Sequence, residues 1–337
     1  MPWEFATAGR ILFGRGVLAE VPEEAASLGR RALLVHGRNP ERALRLSDAL
    51  RLAGVESVGF SVPGEPTTKI LAEGLQRCRE KSCDLVIGLG GGSPTDCAKA
   101  IAALARTTGP VEEYLEVIGS GRAPEQPGLP GIAIPTTAGT GSEVTRNAVL
   151  RSVAHGVKVS LRGLNVLPRV AVVDPELTLS VPPEITAATG MDALTQLIEA
   201  FLSTAANPIT DALCREGIAR SARSLRVAFK NGGDVDARED LALASLLSGI
   251  ALANARLGAV HALAGPLGGR FPVPHGAACA RLLPETLAVN ARALLQRAPN
   301  SPTLQRLKEL GRLLTASDKA GVEEIVDWVR TGASAIH

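Results

Sequence analysis

The sequence predicts an α/β N-terminal domain on a mainly parallel sheet, followed by an all-helical C-terminal domain. Three observations carry this. Short β-branched runs alternate with helical segments as far as Asp174. Beyond Pro182-Pro183 long helical patterns follow with almost no strand signal. The chain has 337 residues, which suggests about two domains at roughly 150 residues each. The boundary is drawn at that proline pair, giving residues 1–181 and 182–337.

Arg31 to His36 reads as a strand, followed by a helix from Pro40 to Ala53. Val55 to Val62 reads as the next strand, with a helix from about Thr67 to Glu80. Asp84 to Leu89 is continuously apolar after its first residue, as a strand covered on both faces should be. It runs straight into glycines and a helix from Ser93 to Arg106. Gly131–Pro135 and Arg169–Asp174 supply further strands. Strand, helix, strand in this alternation implies right-handed crossovers and a parallel sheet. The later helices read as Glu184 to Ser203, Pro208 to Phe229, Ala237 to Ala255 and a weaker series to Arg330.

Composition removes several function classes. Apolar residues make up 45% of the chain, enough for a sizeable core. A net charge of +2 is too small for a general nucleic-acid or membrane-surface binder. Six Phe, two Trp and one Tyr leave no stacking platform for bases. Cys78, Cys83, Cys97, Cys214 and Cys279 are odd in number and form no C-x-x-C pair, so neither a disulfide framework nor a thiolate zinc site is expected. The N-terminus shows no basic region followed by an apolar run, and no stretch of eighteen apolar residues occurs. A cytoplasmic protein is the expectation.

Three constellations carry chemistry. Gly88-Leu-Gly-Gly-Gly-Ser-Pro-Thr-Asp96 lies between a strand and a helix. Glycines let backbone approach a ligand closely, and a helix start offers unpaired N–H groups and partial positive charge, which together favour a phosphate. A capped helix explains the same residues, with Ser93 as N-cap, Pro94 at N1 and Asp96 at N3. Both readings can hold. Pro135-Thr-Thr-Ala-Gly-Thr-Gly-Ser-Glu-Val-Thr145 is a hydroxyl-rich loop at a strand's C-terminal end, where open α/β sheets bind ligands. An ordinary polar turn is its alternative. Finally, Asp192 and Gln196 share a helix face as an i,i+4 pair, and His261 and His275 flank a glycine-rich turn. Two imidazoles and a carboxylate could close around Fe(II) or Zn(II), or the histidines could be hydrogen-bonded core.

Several segments in order resemble the iron-containing (group III) alcohol dehydrogenases: 90–100, 135–145, 174–178, 189–194, 206–213, His275-Gly276 and Leu282-Leu-Pro284. The resemblance runs from about Phe13 to about Asn290. It implies a Rossmann-like dinucleotide-binding domain and a helical metal and substrate domain in the dehydroquinate synthase-like arrangement. It also implies NAD(P)-dependent interconversion of an alcohol and an aldehyde or ketone, with a divalent metal polarising the substrate oxygen, and a homodimer.

Carried over by position, the resemblance puts metal ligands at Asp192, Gln196, His261 and His275, with His261 and His275 as the catalytic pair. Gln196 stands where the family usually has His, and Gly265 where it often has a further His. The cofactor would lie against Gly37, Gly91, Gly92, Ser93, Asp96, Thr136, Thr137, Thr140, Ser142, Lys158 and Leu179. After His36, Gly37-Arg38 replaces the acidic residue common in NAD-preferring relatives, so nothing repels a 2′-phosphate and Arg38 could pair with it. The replaced histidine leaves two other readings: a metal-independent reductase resembling maleylacetate reductases, or a cofactor-binding relative with weak catalysis. A dehydroquinate synthase-type lyase would want more cleft histidines than five in total permit.

Overall fold

The computed structural model describes residues 2–124 and 126–334. They form two compact units, one of residues 6–124, 126–137 and 142–177, the other of residues 2–5, 138–141 and 178–334. The division at Thr178 falls four residues before Pro182. Two short segments, including part of the hydroxyl-rich loop, join the helical unit.

In the α/β unit the elements alternate as β1 (Arg10–Phe13), α1 (Val21–Leu28), β2 (Arg31–His36), α2 (Glu41–Leu52), β3 (Glu56–Ser61), α3 (Thr68–Glu80), β4 (Leu85–Gly90), α4 (Gly92–Leu104) and β5 (Gly131–Pro135). A hairpin of β6 (Asn147–Ser152) and β7 (Val157–Arg162) and then β8 (Val170–Val173) complete it. Six strands form one sheet in the order β1-β8-β5-β4-β2-β3, with every pairing parallel. β4 is buried along its whole length, which is why its sequence is uninterruptedly apolar.

Each face of the sheet has its own core. Leu33, Val35 and Val86 pack with Leu71 and Leu75 of α3 and Ile101 and Leu104 of α4. On the other face Ala32, Leu34, Leu85 and Ile87 pack with Val21 and Ala25 of α1 and Leu46 and Leu50 of α2. The chain therefore leaves β2 towards one face and β4 towards the other, although these strands are neighbours. That reversal opens a crevice at their C-terminal ends, where open α/β sheets take ligands.

In the helical unit, α5 (Pro183–Leu202), α6 (Pro208–Lys230), α7 (Val235–Ala255), α8 (Ala259–Arg270), α9 (His275–Arg297), α10 (Pro302–Thr315) and α11 (Val322–Ser334) follow one another. α5 is the central rod, and its run from Met191 to Phe201 is buried throughout. It is enclosed by α6, α7 and α9, so its amphipathic signal is weak and its sequence is Ala- and Leu-rich. α6 opens on a capping box, with Asn207 accepting from the Ile209 and Thr210 N–H groups and the Thr210 hydroxyl accepting from Asn207 N–H.

The structure corrects the capping reading, gives two loop glycines a packing role, and adds strands. α4 begins at Gly92 with Gly91 as its N-cap, and no side chain caps it; Ser93 and Asp96 lie inside the helix. The reason is Asp96's other commitment: it accepts from the Ser142 hydroxyl and, at 3.1 Å, from Val149 N. The two loop glycines Gly139 and Gly141 are packing residues. A Cβ on Gly139 would lie 2.6–2.9 Å from Thr189, and one on Gly141 2.5 Å from Gly249 Cα. Lastly, β1 and the β6–β7 hairpin are strands that the sequence reading omitted. The hairpin's signal was present, in the inward alternation of Ala148 with Leu150 and Val159 with Leu161 across a turn closed by Gly156 at φ +64°.

Candidate metal centre and nucleotide-binding loops

The helical unit gathers four potential donors. Asp192 on α5, His261 on α8, and His275 and Cys279 on α9 each offer an atom, all within 4.8 Å of one another. His261 Nε2 lies 3.2 Å from Asp192 Oδ1 and His275 Nε2 lies 3.7 Å from it. Cys279 Sγ is 3.7 Å from His261 Nε2 and 3.8 Å from His275 Nε2. A tetrahedral ion bound at about 2.0–2.3 Å sets adjacent donors roughly 3.3–3.6 Å apart. These four distances lie within about half an ångström of that edge, and all donors lie within 4.8 Å of one another, so the set can close around a divalent ion by small side-chain shifts.

Backbone and outer contacts hold these groups in place. His275 is the first residue of α9, and Gly276 follows because α9 starts hard against α5: a Cβ there would meet the Ala188 carbonyl oxygen at 1.9 Å. His275 and Cys279, four residues apart on α9, share a face. Glu199 lies seven residues beyond Asp192, also on its face of α5. One carboxylate oxygen of Glu199 accepts from Val260 N at 2.7 Å. The other accepts from His261 N at 3.3 Å and sits 2.6 Å from His261 Nδ1. It thereby aims Nε2 at the cluster, the carboxylate–histidine arrangement common behind metal-binding imidazoles.

Electrostatics follow from this crowding. Burial alone would lower the His261 pKa, but Asp192, Cys279 and Glu199 outweigh it and push the value up to about 12. Burial alone would raise the Asp192 carboxyl, and the facing His261 and His275 carry it below its ordinary value instead. Burial pushes the Cys279 thiol up. Gln196 is buried one turn from Asp192; its carbonyl oxygen accepts from Ser248 at 2.9 Å and its side chain hydrogen-bonds Asp192.

In the α/β unit, Gly37, Gly91, Gly92, Ser93, Thr136 and Thr137 all follow the C-terminal ends of β2, β4 or β5. Thr136 N donates to Gly90 O at 2.9 Å, which locks two of these loops together. A Cβ on Gly91 would stand 3.2 Å from Thr137 Oγ1, and one on Gly37 3.8 Å from Pro94 Cγ. The start of α4 carries no side-chain cap, leaving its first N–H groups facing the crevice with the helix dipole's positive end. Beneath them a buried ammonium organises the floor: Lys99 Nζ donates to Ser142 O at 2.7 Å, Thr145 Oγ1 at 2.8 Å and Asn147 O at 2.6 Å.

The remaining expected cofactor residues have the following surroundings. Asp96 and Ser142 are bonded to each other, and Lys158 pairs with Glu65. Thr140 and Leu179 fall in the helical unit. Arg38 is exposed and donates to Pro63 O at 3.3 Å. Sequence reasoning missed Glu199 and Cys279. Both had a signal, Glu199 as the i+7 partner of Asp192 and Cys279 as the i+4 partner of His275.

Comparisons with known proteins agree with this geometry. The family "Iron-containing alcohol dehydrogenase" matches residues 8–175, and "Fe-containing alcohol dehydrogenase family, C-terminal" matches residues 186–335. Alcohol dehydrogenase 4 of Schizosaccharomyces pombe is 40% identical over 286 residues, covering 83% of this chain and 67% of that protein. A crystal structure of 1,3-propanediol oxidoreductase superposes with a TM-score of 0.90 at 34% identity, covering 100% of this chain and 86% of the other. Sulfoacetaldehyde reductase from Bifidobacterium kashiwanohense, in complex with NAD+, gives a TM-score of 0.88 at 32% identity, over 100% and 86% of the two chains.

Proposed function

The chain belongs to the iron-containing alcohol dehydrogenase family, and on that premise we infer that it interconverts an alcohol and its aldehyde or ketone by hydride transfer with NAD(P). The observation that carries this reading is the convergence of Asp192, His261 and His275 on one point, with Glu199 behind His261. A divalent ion held there supplies Lewis-acid polarisation of the substrate oxygen. The residues do the rest. Asp192 contributes the anionic donor, and Glu199 holds the His261 ring in one orientation. Gly276 lets α9 approach α5 closely enough to bring His275 in. At the sheet's C-terminal edge, Gly91 and Gly92 present backbone amides to a diphosphate, and Thr137 braces Gly91.

Specific roles for Gly37, Thr136, Thr140, Lys158 and Leu179 along the nucleotide belong to the same proposal. So does pairing of two chains through the edge strand β1, whose outer side carries no strand among the described residues. No single described helix is long and apolar enough to cross a membrane. Five buried, free cysteines suit a reducing compartment such as the cytoplasm.

The test is absorbance at the reduced nicotinamide band with a panel of short alcohols and aldehydes, with Zn(II) or Fe(II) supplied. Turnover that a Gly91→Ala substitution weakens through the nucleotide KM is the expected result. No turnover with any substrate, together with no binding of NADH or NADPH by calorimetry, overturns the reading.

A further inference from the structure

Gln196 is already committed to protein partners in this arrangement. Its carbonyl oxygen, the only ligating atom a carboxamide has, accepts from Ser248, and the side chain is bonded to the Asp192 carboxylate. Cys279 is in the opposite situation. Its sulfur is fully buried and stands almost equidistant from the two imidazole Nε2 atoms, at 3.7 and 3.8 Å. These separations are within about 0.3 Å of the ~3.5 Å edge that a sulfur at about 2.3 Å and an imidazole nitrogen at about 2.0 Å make on a tetrahedral ion. Among the described residues the thiol's hydrogen-bond partners are these two histidines. Cys279 also sits one helical turn after His275, so a single face of α9 delivers both donors.

We propose that Cys279, as a thiolate, is the fourth donor of the metal centre, that Gln196 is a positioning residue for Asp192, and that the resulting Asp-His-His-Cys set selects Zn(II) over Fe(II). The proposal rests on the ion site inferred above and specifies its chemistry. Thiolate is a soft donor that favours zinc, and zinc also stands above iron(II) in the general order of divalent affinities. An amide oxygen in the same place would leave a harder, weaker set that discriminates less.

The experiment loads the metal-free full-length protein with Co(II) or Zn(II) alone. With Co(II), the wild-type protein shows a sulfur-to-cobalt charge-transfer band in the near ultraviolet. X-ray absorption of the zinc form shows one sulfur scatterer at about 2.3 Å. Grown with both metals, the protein carries more zinc than iron by elemental analysis. Cys279→Ser loses the band, and its zinc affinity against a competing chelator falls about 100-fold, since loss of a mere outer-shell partner already costs 10–100-fold. Gln196→Ala keeps the band and the one-to-one stoichiometry. The X-ray measurement needs no variant, so a misfolded Cys279→Ser protein does not shield the proposal.

Three results overturn it. A wild-type cobalt form with bound ion but no sulfur signature refutes the thiolate while leaving the metal centre standing. Loss of the ion in Gln196→Ala but not in Cys279→Ser reassigns the donor. Absence of any bound ion in the wild type removes both this inference and the reading beneath it.

Discussion

Replacing Glu199 by Gln tests whether the orientation of His261 is built into the fold. Glu199 is 8% exposed and contacts three donors: Val260 N at 2.7 Å, His261 N at 3.3 Å and His261 Nδ1 at 2.6 Å. Glutamine keeps the shape and one acceptor oxygen but loses the charge, and its amide nitrogen must then face an N–H donor. A hydrogen bond to a charged acceptor contributes about 1.5–3 kcal/mol, against about 0.5–1.5 for a neutral one. The imidazole also becomes a poorer ligand when its Nδ1–H loses a carboxylate partner, a change that typically costs about 10- to 100-fold in metal affinity. That range corresponds to about 1.4–2.8 kcal/mol. The assay is zinc titration against a chromophoric chelator, with near-ultraviolet circular dichroism confirming intact packing. Glu199→Ala goes further, because it orphans two backbone N–H groups at the start of α8 and destabilises the helical unit by roughly 2–6 kcal/mol. If Glu199→Gln binds zinc within about twofold of wild type while His261→Ala does not bind, the carboxylate is a helix cap and nothing more.

Gly141→Ala places a Cβ 2.5 Å from Gly249 Cα on a backbone at φ +59°. It should cost about 2–4 kcal/mol, read as a lower midpoint in thermal unfolding. Asp240 is held below its ordinary carboxylate pKa: burial opposes this, but Arg223, Ser224 and Arg220 prevail. Its contribution is therefore complete above the unfolded value of 3.8 and is lost as pH falls through the lower folded value. Asp240→Asn should be less stable at neutral pH and flatten the acid limb of the stability–pH curve. Lys99→Met removes the ammonium that bonds Ser142, Thr145 and Asn147 and leaves the Asp96 carboxylate without its nearest cation. Denaturant titration should show a loss of about 3–5 kcal/mol. Arg38→Ala should raise the KM for NADPH and leave that for NADH unchanged if Arg38 meets a 2′-phosphate; equal effects on both would reject that role.

The strands and helices that sit over a sheet face or form the bundle were readable because each had one dominant physical demand. β4 must be apolar on both sides, and α6 announces its start with Asn207-Pro-Ile-Thr210. Mistakes arose where one residue answers to two neighbours. Ser93 and Asp96 have capping-box spacing, yet Asp96 turns to Ser142 and Val149, contacts whose sequence separation of 46 and 53 residues no local pattern reveals. The glycines of the Thr-Ala-Gly-Thr-Gly stretch look like a ligand cradle, but Gly139 and Gly141 are small because Thr189 and Gly249 pack against them. Residue type could not tell those causes apart, since both require a missing Cβ.

The same ambiguity shaped the reading of the metal centre, where helical spacing was informative only in part. Asp192 paired with Gln196 by an i,i+4 rule, and the rule is correct about the shared face. It is silent about which way a carboxamide points, and Ser248 on α7 decides that by taking the oxygen. Two further side chains obey the same arithmetic. Glu199 continues the Asp192 face at i+7, and Cys279 repeats the i,i+4 step from His275. Neither stood out, because a glutamate near a helix end reads as solvated surface and a lone buried cysteine as core. What separates them from those ordinary fates is the crossing of α8 and α9 over α5, set by Gly258 against Glu199 and Gly276 against Ala188. The centre is thus specified as much by two glycines that permit close helix approach as by the donors. A methyl group at Gly276, 1.9 Å from the Ala188 oxygen, should displace His275 and abolish ion binding while every candidate donor remains in the chain. Unchanged zinc binding by Gly276→Ala would show that α9 is not positioned by this contact.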